Sequence, residues 1–102
     1  MQQQKRGSLL NNHYRIFEAD GFLDDLHDII GPRWEGVYSK IKTHVYPQLS
    51  QQPYFGKNIK KLKAYSPETW RYRLGKIRLF YQIDGKGRVV IMAAAYPRKD
   101  AY

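Results

Sequence analysis

The chain has 102 residues, no cysteine and a net charge of +9. That length fits one domain with a modest core, and 42% hydrophobic residues with 15% aromatics call for a packed globule rather than a disordered chain. A disulfide framework, a thiolate metal site and a membrane span are excluded, the last because no run approaches the roughly 18 apolar residues it requires.

Residues 1–12 are polar and Gln/Asn-rich, which reads as a flexible N-terminal arm before a single domain at 13–102. They lack the apolar stretch of a secretory leader, so a cytoplasmic location is expected. Tyr14-Arg15-Ile16-Phe17-Glu18 carries strand formers and runs into the turn Ala19-Asp20-Gly21. Phe22, Leu23, Leu26, Ile29 and Ile30 then fall on one helical face, with Asp20 as the expected N-cap. Gly31-Pro32 ends this helix. A second follows with Trp34, Val37, Tyr38, Ile41 and Val45 on one face, and Pro47 should stop or kink it. Residues 48–58 read as a loop.

Beyond the loop the period changes to two. Ile59–Lys63 is a short basic strand or its approach. Trp70-Arg71-Tyr72-Arg73-Leu74 alternates strictly, Gly75-Lys76 turns the chain, and Ile77–Ile83 alternates again. Asp84-Gly85-Lys86-Gly87 is a hairpin turn, and Val89–Ala95 is apolar on both faces, as a central strand would be. The expected fold class is α+β: a strand, a helical hairpin, then an antiparallel meander of three to four strands.

Charge is distributed unevenly along this order. Residues 1–35 hold four basic and six acidic side chains, whereas residues 36–102 hold fourteen basic and three acidic, a net of +11. Such a field draws in a polyanion. Alternation predicts one sheet face with Arg71 and Arg73 on one strand and Arg78, Phe80 and Gln82 on its neighbour. Guanidinium forks bind phosphate bidentately, and an exposed ring stacks on a base. Crowded like charges repel unless an anion compensates them, which is the reason to expect a phosphate there. Lys61 and Lys63 are candidates for an RNA clamp or a general base. His13, His27 and His44 lie too far apart for a metal site, no phosphate-binding loop is present, and neither metal nor cofactor is expected.

Tyr72-Arg73-Leu74-Gly75-Lys76-Ile77-Arg78-Leu79-Phe80-Tyr81 and the ending Arg98-Lys99-Asp100-Ala101-Tyr102 together resemble the RelE/ParE toxin superfamily, from about Tyr14 to the C-terminus. The resemblance implies the toxin of a type II toxin–antitoxin pair, bound by a cognate antitoxin protein. RelE-like members are ribosome-dependent endoribonucleases acting on mRNA; ParE-like members inhibit DNA gyrase without catalysis. The resemblance to RelE-like enzymes sets Arg71 and Arg73 at their strand lysines and Arg78 at their phosphate-stabilising arginine. Arg98 and Tyr102 fall at their C-terminal basic and aromatic residues. Two departures bear on catalysis: arginine stays protonated and is a poor base, and Pro97 stands where many relatives have histidine.

Overall fold

The structure is a computed structural model that describes residues 13–98. The expected arm at 1–12 and the segment 99–102, with Tyr102, lie outside the described residues. Strand β1 is Arg15–Glu18 and helix α1 is Phe22–Ile30. A 3-10 turn at Gly31–Arg33 leads into helix α2, Trp34–Lys40. One π turn at Ile41–Val45 joins α2 to helix α3, Tyr46–Gln51. Strands β2 (Ile59–Lys61), β3 (Trp70–Leu74), β4 (Ile77–Asp84) and β5 (Val89–Pro97) complete the chain.

The α+β class and the helical hairpin are as the periodicities predict. The meander comprises β2 to β5 in antiparallel succession, and the sheet order is β1-β5-β4-β3-β2. β1 is not part of the meander: it pairs parallel to β5, with Arg15 opposite Val89 and Glu18 opposite Met92.

Two local expectations are corrected. Asp20 does not cap α1; Gly21 does, at φ 91°, a left-handed conformation that costs an aspartate more than a glycine. The expected loop at 48–58 begins later: of the two outcomes expected at Pro47 the helix does not stop, but opens in a π turn just before it and continues to Gln51. Proline offers no N–H and its ring crowds the carbonyl four residues back. The π turn resolves this by opening the helix just before Pro47, so that Tyr46 N–H bonds to the Ile41 carbonyl.

The core lies between the helices and one sheet face. Phe22, Leu26, Ile41, Val45 and Leu49 meet Tyr72, Leu79, Tyr81, Val90 and Met92, all buried. Its polar groups are satisfied. Tyr81 donates to the Pro53 carbonyl and Tyr72 to Gln48 Oε1, each at 2.7 Å, which pins the 52–58 loop and α3 to the sheet. Tyr38 and Tyr46 both donate to Glu18 Oε2 at 2.7 Å. Burial, reinforced by the Glu18 bond and charge, pushes the Tyr38 hydroxyl up to about 12 and raises that of Tyr46 further.

One irregularity reorganises the sheet. Phe80 is opposite Ala94 but Tyr81 is opposite Met92, so β5 carries an extra residue at Ala93. A bulge inverts the in/out alternation beyond it. Val90 and Met92 point to the core before the bulge and Ala95 after it. The Ala95 N–H donates to Asp25 Oδ2 of α1 at 3.0 Å, which anchors the bulged segment to the helix.

Candidate nucleic-acid interface

The face of the sheet away from the helices carries the charge. Residues directly opposite across neighbouring strands share a face, so register places each side chain. Arg73 is opposite Arg78, and Arg78 is opposite Tyr96. In the adjacent row, Lys60 is opposite Arg71, Arg71 opposite Phe80 and Phe80 opposite Ala94. The three expected arginines are therefore brought together on one face, as the alternation predicts.

Their environments differ. Arg73 is exposed, Arg71 half-buried, and Arg78 only 6% exposed. Arg78 is held by its own turn: Nη1 donates to the Gly75 carbonyl at 2.8 Å and the Ile77 carbonyl at 3.1 Å. Its Nε, like that of Arg71, is buried with no hydrogen-bond partner. A buried donor without an acceptor costs about 1–3 kcal/mol. Among the described residues none of the three arginines forms an ion pair, since Glu68 is taken by Lys61 at 3.1 Å. Among the described residues the arginine end of this face therefore has positive charge in excess and two buried donors without an acceptor.

Other expected site residues are placed differently. Phe80 is not an exposed stacking ring: it is 5% exposed, packed with Leu62 and Ala94. Lys61 is opposite Trp70, on the other face, with its ammonium paired to Glu68 and 5.9 Å from the Trp70 ring. The reason is Leu62, whose burial against Phe80 commits it to the outer face and so sends Lys60 outward and Lys61 inward. Lys63 is exposed on the loop after β2. Gln82 is half-buried on the outer face, two residues from Phe80 on the side away from Arg78. Arg98 is exposed, and its backbone N–H continues the ladder to the Lys76 carbonyl at 2.8 Å, at the Arg78 end of the sheet. Tyr102 lies outside the described residues.

Three residues on this face were not legible from sequence. Lys60 stands in a run, Ile59-Lys60-Lys61-Leu62, with an apolar residue in each parity, so its face was ambiguous. Tyr96 reaches the outer face only because of the bulge. Tyr65, 46% exposed, approaches Phe80 from the loop between β2 and β3, with ring centroids 6.0 Å apart. Among the described residues no cluster of His, Asp and Glu could hold a metal ion, and no helix is long and apolar enough to cross a membrane.

A family model described as the ParE toxin of the type II toxin–antitoxin system parDE matches residues 17–100. No curated protein matches the sequence. Among solved structures, the RelBE2 toxin–antitoxin complex from Mycobacterium tuberculosis has a chain that superposes with a TM-score of 0.66 at 24% identity. The match covers 84% of this chain and 92% of that one. A RelB–RelE complex from Methanococcus jannaschii gives 0.59 at 22% identity, covering 84% and 94%. A mutant of the E. coli toxin RelE in the free state gives 0.60 at 18% identity, covering 87% of each chain. At these identities the likeness is one of fold.

Proposed function

The chain belongs to the ParE toxin family and is a type II toxin of the RelE/ParE kind, and from that premise we propose that it halts growth by cleaving mRNA at the ribosome, restrained by a cognate antitoxin. The observation that carries this reading is the pair of buried, unpartnered guanidinium Nε atoms in Arg71 and Arg78, set among four cations on an open sheet face. A phosphate is an acceptor that such guanidinium groups bind well.

The chemistry follows from what these groups can do. In cleavage by the neighbouring hydroxyl, the 2′-oxygen loses its proton and bonds to phosphorus. The bond to the 5′-oxygen breaks, that oxygen takes up a proton, and a 2′,3′-cyclic phosphate remains. Negative charge builds on the phosphoryl oxygens in between, and fixed guanidinium donors stabilise it. Arg78 is the most rigid donor because its turn already holds it. Arg71 and Arg73 bind and stabilise but do not take the proton. Of the two lysines expected as base, Lys61 is paired with Glu68, and Lys63, exposed on the loop after β2, is the one this reading keeps as base. Arg98 adds to the basic end of the face, and Tyr102 is the C-terminal aromatic residue that the family resemblance assigns to the reaction.

The antitoxin assignment draws on the M. tuberculosis and M. jannaschii neighbours, both of which are toxin–antitoxin complexes. An acidic segment would neutralise the same arginines and so compete with RNA.

The description of the matching family as ParE favours a second reading, inhibition of DNA gyrase by binding alone. Induced expression with mapping of transcript ends separates the two. mRNA cleavage predicts new 5′-hydroxyl ends within translated frames and none when Arg78→Ala is induced at equal soluble level. Gyrase inhibition predicts trapped gyrase–DNA complexes, intact transcripts, and a DNA-damage response. Full growth arrest from a folded Arg78→Ala variant would exclude this phosphate site.

A further inference from the structure

Resting on the reading that RNA is the substrate, we infer that Tyr65 and Tyr96 are stacking platforms for unpaired bases on either side of the phosphate held by Arg71, Arg73 and Arg78. Phe80 is the centre of the arrangement. It fills the same row as Arg71 and is buried, with the Tyr65 ring edge-on at 6.0 Å and the Tyr96 ring tilted at 5.0 Å. Both tyrosines remain substantially exposed, at 46% and 40%, so each has its inner side against Phe80 and ring surface left open.

Each is held there by a backbone irregularity. Ala64 adopts φ 61°, a left-handed conformation disfavoured for a residue with a Cβ, immediately before Tyr65. The β5 bulge turns Tyr96 from the core parity to the outer one, and Asp25 anchors it. Ring placement therefore opposes local backbone preference at one site and sheet regularity at the other.

The occupant follows from charge and shape. Arg78 lies directly opposite Tyr96, and Lys63 and Ala64 join Tyr65 in a concavity of about 540 Å³ whose carboxylate, Glu68, is already paired with Lys61. An open ring beside unpaired cations fits a planar base carried on a phosphate backbone, and stacking accepts any base. A merely structural role, shielding Phe80 and Leu62, uses the same contacts and must be separated by experiment.

The test measures the affinity of the intact toxin for programmed ribosomes whose A-site codon carries 2′-O-methyl riboses, which blocks cleavage. The same ribosomes with abasic residues in that codon form the second arm. Tyr65→Ala and Tyr96→Ala should each weaken binding to the intact codon by about 5- to 150-fold, the range for loss of one base stack. Tyr65→Phe should bind as the unchanged protein does. On the abasic codon, which removes both stacks at once, the unchanged protein should drop to the level of the Tyr65→Ala/Tyr96→Ala double variant on the intact codon, and the single alanine variants should bind the abasic codon no more weakly than the unchanged protein does. Unaltered binding by an alanine variant, or an equal loss on both codons, overturns the assignment of that ring while leaving RNA as the substrate. Absence of any binding by the unchanged protein overturns the RNA reading, and this inference with it.

Discussion

The two faces of the sheet are built from the same strands yet follow opposite rules. On the inner side the tyrosine hydroxyls are answered: Tyr81 of the sheet by Pro53 and Tyr72 by Gln48, and the helical Tyr38 and Tyr46 by Glu18. On the outer face two buried guanidinium nitrogens are not, and the Phe80 ring beside them, packed on Leu62 and Ala94, is flanked by half-exposed tyrosines. A face that closes its hydrogen bonds internally contributes stability. A face that leaves donors open sacrifices some of it, and the open donors define what must arrive from outside. The comparison teaches that the fold and the candidate chemistry can be perturbed separately, although they share every strand from β2 to β5.

The largest expected effect lies on the inner face. Phe22→Ala or Leu79→Ala removes a fully buried side chain and should cost about 3–4 kcal/mol in denaturant unfolding, with toxicity falling only as folded protein is lost. Arg78→Ala should do the reverse: growth arrest disappears, while stability changes by no more than about 1–2 kcal/mol, because the lost bonds to Gly75 and Ile77 are offset by removing an unsatisfied donor. An unfolding midpoint lowered as far as that of Phe22→Ala would erase the distinction between the faces.

Asp25→Ala links them. It removes the acceptor for Ala95 N–H and should cost about 2 kcal/mol, and it should also weaken RNA binding by freeing the bulge that orients Tyr96. Loss of stability with unchanged binding would show that the bulge holds without the helix.

Alkali should weaken the helix side of the sheet. The Tyr38 hydroxyl is raised to about 12 from an ordinary value near 10, so the folded protein keeps a proton that the unfolded chain releases. Its contribution to stability is complete below pH 10 and declines as pH rises through about 12. Tyr46, raised in the same sense, steepens that decline. Tyr38→Phe should flatten the profile of unfolding midpoint against pH between those values.

The smallest effects come from two neighbouring lysines. Lys60→Ala should lower RNA affinity a few-fold and reduce the salt dependence of binding by about one counterion. Replacing Lys61 and Glu68 together by alanine, which leaves no carboxylate unpaired, should leave RNA binding unchanged and alter stability by about 0–1 kcal/mol, the range for an exposed ion pair. Equal effects on RNA binding would contradict the assignment of the two side chains to opposite faces.

Much of this molecule is written in its periodicities. Strict alternation in Trp70–Leu74 and Ile77–Ile83, joined across Gly75-Lys76, was enough to place Arg71, Arg73 and Arg78 on a common face, because a two-residue period and a tight turn leave little freedom in register. The two amphipathic helices and the concentration of charge after residue 35 were equally local properties. What the sequence could not decide was set by contacts between distant segments. Leu62 chose its face by meeting Phe80, and that choice exchanged Lys61 for Lys60 and buried the ring expected to be open. The run Val89–Ala95 is apolar in both parities, so no pattern marks the extra residue at Ala93. Only the pairing with β4 and the carboxylate of Asp25, 70 residues away, determine that Tyr96 faces the arginines.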